Sequence, residues 1–263
     1  VAAADYLACW NPVTEAWEAI GSTNKPASAV TALLFTPEGD LIVGGLLYIK
    51  RYTLSTGSPP AWQDESSGLD FAITFVKNFV ISPSGLIYAV GWFTDSSFGK
   101  NYGMAYSPYS PGSSLVWGNL SWSEMSNSEQ FDAITLAPNG NIVVGGKFTD
   151  LDGVSGATNI ALFNGTTVTA LAGLALSGLN GEVYALAFGA TGSLYVGGAF
   201  TNAGGVASAD YIAKWTGSKW ESLGTGTNGT VNRITVNSGK VYAAGAFTSS
   251  GGLKFTDRAA VWS

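Results

Sequence analysis

Ser193-Leu-Tyr-Val-Gly-Gly-Ala-Phe-Thr201 decides the fold, because copies of it return along most of the chain. They read Ile42-Val-Gly-Gly45, Tyr88-Ala-Val-Gly-Trp-Phe-Thr94, Ile142-Val-Val-Gly-Gly-Lys-Phe-Thr149 and Val241-Tyr-Ala-Ala-Gly-Ala-Phe-Thr248. Aligned on Gly45, Gly91, Gly146, Gly198 and Gly245, the copies lie 46, 55, 52 and 47 residues apart. That period marks four-stranded propeller blades rather than helical solenoids.

Working outward, an apolar first strand precedes each copy: 30–35, 76–81, 131–136, 183–188 and 231–236. Large side chains recur at its fourth and sixth positions, as in Leu33 and Phe35, Phe79 and Ile81, or Leu186 and Phe188. Period two places these on one face, for packing against a neighbouring blade. The third position is mostly Ala (Ala32, Ala133, Ala185), which permits close approach where inner strands crowd together. Turns such as Thr36-Pro-Glu-Gly39 and Ala137-Pro-Asn-Gly140 join first to second strands, with Pro fixing φ and Gly accepting positive φ. The glycine pair ends the second strand, where a missing Cβ lets backbones approach. No helix and no Gly-Lys-Ser/Thr follows it, so it is no phosphate loop.

Third strands end in an aromatic residue: 6–10, 49–52, 102–106, 159–163, 211–215 and 258–262. Fourth strands are more loosely patterned, near Trp17 to Ile20, Trp62, Trp117 to Trp122, Val168 to Leu171 and Trp220 to Leu223, as outer strands should be. The expectation is a single domain over 1–263, a five-bladed β-propeller of four-stranded antiparallel blades starting near 30, 76, 131, 183 and 231. The ring is closed by the N- and C-terminal strands, with 1–20 contributing strands to the last blade. Tyr6 to Trp10 and Arg258 to Trp262 compete for one third-strand place.

Composition fits this architecture. Of 263 residues, 46% are hydrophobic, 11% are charged and 35 are glycine, a balance for short strands and tight turns. The net charge of -6 supplies no basic patch for phosphate, so nucleic acid is not an expected partner. No apolar run reaches the roughly 18 residues that span a bilayer, and no membrane insertion is expected. Cys9 is the only cysteine, which excludes an intrachain disulfide; its place on an alternating strand predicts a packed thiol. Low charge with abundant Ser, Thr, Asn and Gly fits an extracellular, cell-surface or virion setting.

The fullest repeat runs from Gly181-Glu-Val-Tyr-Ala-Leu186 through Ile212-Ala-Lys-Trp215 and Trp220-Glu-Ser-Leu-Gly224. It resembles the propeller repeats of the Rax2-like cell-surface family. Phe79-Val-Ile-Ser-Pro-Ser-Gly-Leu-Ile-Tyr-Ala-Val90 is similar to segments of five-bladed tachylectin-like lectins. Neither resemblance carries a catalytic motif or assigns a ligand.

The absence of histidine removes the commonest general base, the Ser-His and Cys-His arrangements and the commonest metal ligand. Two carboxylates can still run glycoside hydrolysis, but no Asp or Glu stands out at a repeated inward position. Asp150-Leu-Asp-Gly153 resembles a fragment of a calcium loop without the closing Glu, which leaves Asp150 and Asp152 as weak metal candidates beside the reading as a solvated turn. Trp92, Trp117 and Trp122 break the repeat and gather with Tyr109 around the longest insertion, 107–121. Flat aromatic faces on an elaborated loop are where ligand binding is expected. The expected function is therefore a non-catalytic binding or assembly module recognising glycan or protein, without a cofactor and with a homo-oligomer or larger assembly open to it. A structural virion or filament component is the alternative, and a carboxylate-dependent glycoside hydrolase is a remote one.

Overall fold

The computed structural model describes residues 6–21, 23–54, 60–66, 72–95, 98–126, 128–171, 179–251, 253–254 and 258–263. The chain is an all-β, five-bladed β-propeller of antiparallel, mostly four-stranded blades. An N-terminal hairpin pairs β1 (Ala8–Asn11) with β2 (Ala16–Ala19). Blade one holds β3 (Val30–Phe35), β4 (Leu41–Gly45), β5 (Tyr48–Thr53) and β6 (Ala61–Asp64) in that order. Blade two holds β7 (Ala72–Ile81), β8 (Leu86–Asp95), β9 (Lys100–Pro108) and β10 (Gly118–Asn119), and the short β11 (Glu124–Met125) follows. Blade three comprises β12 (Gln130–Leu136), β13 (Ile142–Lys147), β14 (Ile160–Phe163) and β15 (Val168–Ala170). Blade four comprises β16 (Val183–Phe188), β17 (Leu194–Gly198), β18 (Ile212–Trp215) and β19 (Trp220–Ser222). Blade five has three strands among the described residues. They are β20 (Val231–Asn237), β21 (Lys240–Gly245) and, after the small β22 (Ser249–Ser250) and β23 (Leu253–Lys254) pair, β24 (Ala259–Trp262). Of the two competing third strands, β24 takes the place beside β21, while β1 pairs with β2.

Two compact units contain these blades, 1–124 with the hairpin and blades one and two, and 125–263 with blades three to five. The glycine pair does two separate jobs in them. In blade three the first glycine, Gly145, faces the next blade: a Cβ there would lie 2.5 Å from Val183 Cγ1 and 3.3 Å from Leu186 Cδ1. Gly197 meets Val231 and Ile234 in the same way, and Gly44 meets Val76 and Phe79. Blades one, three and four thus each offer a groove at the first glycine, and the next blade fills it with the first and fourth residues of its repeat's inner strand.

The second glycine answers a different demand. Between Val183 and Ala185 the register of β16 against β17 shifts by one, so that Val183 faces Gly198, Ala185 faces Gly197 and Tyr184 is the extra residue of a bulge. The bulge pushes the carbonyl of Glu182 to within 2.0 Å of where a Cβ of Gly198 would be. The same shift recurs in β3, β12 and β20 and, among further irregularities, in β7, which makes Thr31, Lys77, Asp132, Tyr184 and Asn232 the extra residues.

Blade one departs from the expected packing. Leu33 and Phe35 are 51% and 65% exposed. Cys9 also differs from expectation, since it is exposed on the two-stranded hairpin.

Candidate functional site

The aromatic group expected to bind a ligand does not assemble as a surface. Trp117 is buried in the core of unit 1 against Phe79 (ring centroids 6.4 Å), and its Nε1 donates to the Glu65 carbonyl at 3.1 Å. Leu115, also buried, donates its N–H to Glu65 Oε2 at 2.7 Å. Glu65 in turn meets Arg51, with Nη2 to Oε1 at 2.8 Å and both side chains 1% exposed. Burial pushes the Glu65 carboxyl above the usual carboxylate range against the pull of the Leu115 N–H and the Arg51 charge. The insertion is thus tied to blade one by the Leu115 and Trp117 hydrogen bonds to Glu65, whose carboxylate is held in turn by Arg51. Tyr109 is half-buried, and its hydroxyl bonds Thr36 Oγ1 at 3.1 Å. Trp92 is half-buried and donates to Asn101 Oδ1 at 3.1 Å. Trp122 lies in a 3-10 turn, Ser121–Ser123, and its side chain falls outside the described residues.

Asp150 and Asp152 belong to a tight turn with positive φ at both (47° and 55°), and Asp150 Oδ1 accepts the Gly156 N–H at 3.2 Å. Blade four builds the same turn from Asn202 and Gly204 at φ 55° and 56°. Local backbone geometry therefore accounts for both aspartates. Among the described residues no group of three His, Cys, Asp or Glu could hold a metal ion.

The polar cluster that does assemble lies in unit 2, on the inner strands of blades three and four. Glu182 stands immediately before β16, and its carboxylate accepts two side-chain hydrogen bonds, from the Tyr184 hydroxyl at 2.7 Å and from Gln130 Nε2. Asp132, 7% exposed, is the bulge residue of β12 as Tyr184 is of β16. Burial, the bond to Glu182 and the charges of Glu182 and Asp132 push the Tyr184 hydroxyl up to about 12. It therefore remains a proton donor throughout the neutral range.

Glu182 also walls a cavity of 390 Å³ with Glu129, Lys147, Thr149 and Asn180. Its neighbours there are committed to the backbone. Glu129 accepts the N–H groups of Ser126 (3.0 Å) and Thr149 (3.2 Å), which outweigh burial and hold its carboxyl below the usual range. Asn180 clamps Thr201 through its N–H and its hydroxyl, as Asn228 clamps Thr248, which explains the recurring Phe-Thr of the repeat. Glu182 differs in that both its recorded partners are side chains, which can rotate away when a ligand arrives. No acid recurs at one place in the repeat, but Asp132 sits on an inner strand and Glu182 immediately before the next one. The signal available in the sequence was the second residue of each first strand (Thr31, Lys77, Asp132, Tyr184, Asn232), which varies in chemical type while the residue before it stays apolar.

No protein-family model matches the sequence, and no curated relative matches it either. Solved structures do match the fold. The PQQ-bound aldose sugar dehydrogenase of Streptomyces coelicolor superposes with a TM-score of 0.52 at 15% identity, over 90% of this chain and 82% of its own. A protein assigned as a gluconolactonase gives 0.51 at 10% identity, over 97% and 80%. YCF48 bound to D1 peptide gives 0.51 at 17% identity, over 90% and 66%. At these identities the likeness is one of fold. It nevertheless overturns the inference from a regular repeat scaffold to a non-catalytic module, because similar propellers are enzymes.

Proposed function

We propose that the chain is an enzyme acting on a small polyhydroxylated substrate, and that it hydrolyses a sugar lactone or a related sugar ester by general-base catalysis in the cavity beside Glu182. The carrying observation is that Glu182 lines that cavity and is bonded by Tyr184: a carboxylate placed to take a proton from water, next to a phenol that stays protonated. The charge of Asp132 helps keep Tyr184 protonated, and Gln130 bonds the second oxygen of Glu182. The fold-level neighbours that act on sugars support this substrate class, and a glycan was also the ligand class expected from the aromatic residues of the sequence. An extracellular setting is compatible with the same composition.

The test is turnover on a panel of sugar lactones and esters, followed by substitution. Glu182→Gln keeps the size and loses the base, and kcat should fall by about 10²–10⁴ with KM little changed. Tyr184→Phe should lower kcat less. Absence of turnover on every substrate, or full activity in Glu182→Gln, removes the reading.

A further inference from the structure

Two acids wall the cavity of blades three and four, and each is already met by two donors. Glu129 accepts the N–H groups of Ser126 and Thr149, while Glu182 accepts the Tyr184 hydroxyl and the Gln130 amide. Lys147 is the cation of the same wall, and among the described residues it takes part in no hydrogen bond or ion pair. Its charge is therefore the uncompensated one in the cavity.

The ladder brings this lysine close to Glu182. Lys147 ends β13 and is the cross-strand partner of Gln130 on β12. Directly paired residues project from one face with Cβ atoms about 5 Å apart, so Lys147 rises beside the amide that bonds Glu182. The repeat does not call for a lysine there. The residue after the corresponding glycine is Leu46, Trp92, Ala199 or Ala246 in the other blades, and only blade three places a charge at this point. Lys147 is also exposed, so its ammonium is not needed to hold the sheet together. Ser128, Thr149 and Thr158 add hydroxyl groups to the same wall, suited to a polyhydroxylated chain.

We propose that Lys147 is the anion-binding residue of this cavity and that it holds the carboxylate of an open-chain sugar acid. The ligand class rests on the hydrolytic reading of the site. Opening a sugar lactone joins the oxygen of water to the carbonyl carbon and breaks the ring C–O bond. Glu182 takes one proton of the water and passes it to the departing ring oxygen, and the other proton leaves the new acid for solvent. Negative charge gathers first on the carbonyl oxygen and ends on the carboxylate, and Lys147 is the cation placed to receive it. A lysine-to-carboxylate bond of this kind also makes the product an inhibitor.

Calorimetric titration with gluconate and with glucitol, which carries an alcohol in place of the carboxylate, tests this without any need for turnover. Wild-type protein should bind gluconate about tenfold or more tighter than glucitol, and added sodium chloride should weaken gluconate binding alone. Lys147→Met should bring gluconate down to the glucitol level, Lys147→Arg should keep most of the preference, and Lys219→Met, on the outer edge of blade four, should change nothing. Equal binding of the two ligands by the wild type, or an undiminished preference in Lys147→Met, overturns the proposal. The two readings of the cavity separate cleanly. A protein that hydrolyses lactones but does not distinguish gluconate from glucitol loses only the anion site. One that turns over no lactone yet shows the Lys147-dependent preference keeps the anion site and loses the hydrolytic reading.

Discussion

Gly198 shows how one missing methyl group serves both packing and chemistry. Its would-be Cβ meets the carbonyl of Glu182 at 2.0 Å, and backbone cannot swing aside as a flexible side chain can. Gly198→Ala must therefore displace the bulge that carries Glu182 and Tyr184. The expected cost is about 1–3 kcal/mol of stability, read from the urea midpoint. Turnover should drop further than that loss of folded protein explains, because the proposed base moves with its backbone. Gly217, in an open turn with nothing within 4 Å of its would-be Cβ, has φ 96°, so its replacement by Asn isolates a conformational cost from a steric one.

Among elements, the 107–121 insertion depends on the pair formed by Arg51 and Glu65. Removing one partner leaves the other charged and buried, so Glu65→Ala should cost about 3–5 kcal/mol, whereas Arg51→Met combined with Glu65→Leu should cost much less. Denaturant melts of the two variants and the wild type check this. The strands themselves were legible in the sequence, since apolar first strands, Pro-x-Gly turns and glycine pairs are local signals with a fixed period. The insertion was not: Leu115 and Trp117 follow no repeat, and their burial depends on Glu65, some fifty residues earlier in the sequence. The proposed site was hidden for another reason. Strict period-two reading puts the second, fourth and sixth residues of a first strand on one face, but the bulge breaks that parity. Tyr184 and Asp132 thereby become extra residues, while Val183 joins Leu186 against Gly145.

For the whole molecule, stability rests on apolar packing and sheet hydrogen bonds far more than on charge. Only 11% of residues are charged, and recorded ion pairs such as Lys100–Glu124 and Lys219–Glu221 are solvent-exposed. Exposed pairs contribute little and are screened by salt. Raising sodium chloride from low to molar concentration should accordingly move the Tm by less than about 3 °C, as calorimetry can measure. The groove at the first glycine and the ridge at Val183 or Val231 have a consequence for ancestry. Blade four carries in one stretch of about fifty residues both the socket for its successor, at Gly197, and the plug for its predecessor, Val183 with Leu186. Tandem duplication of such a stretch creates a blade that already fits at both ends, so lineages of this kind can change length by whole blades without inventing a new interface.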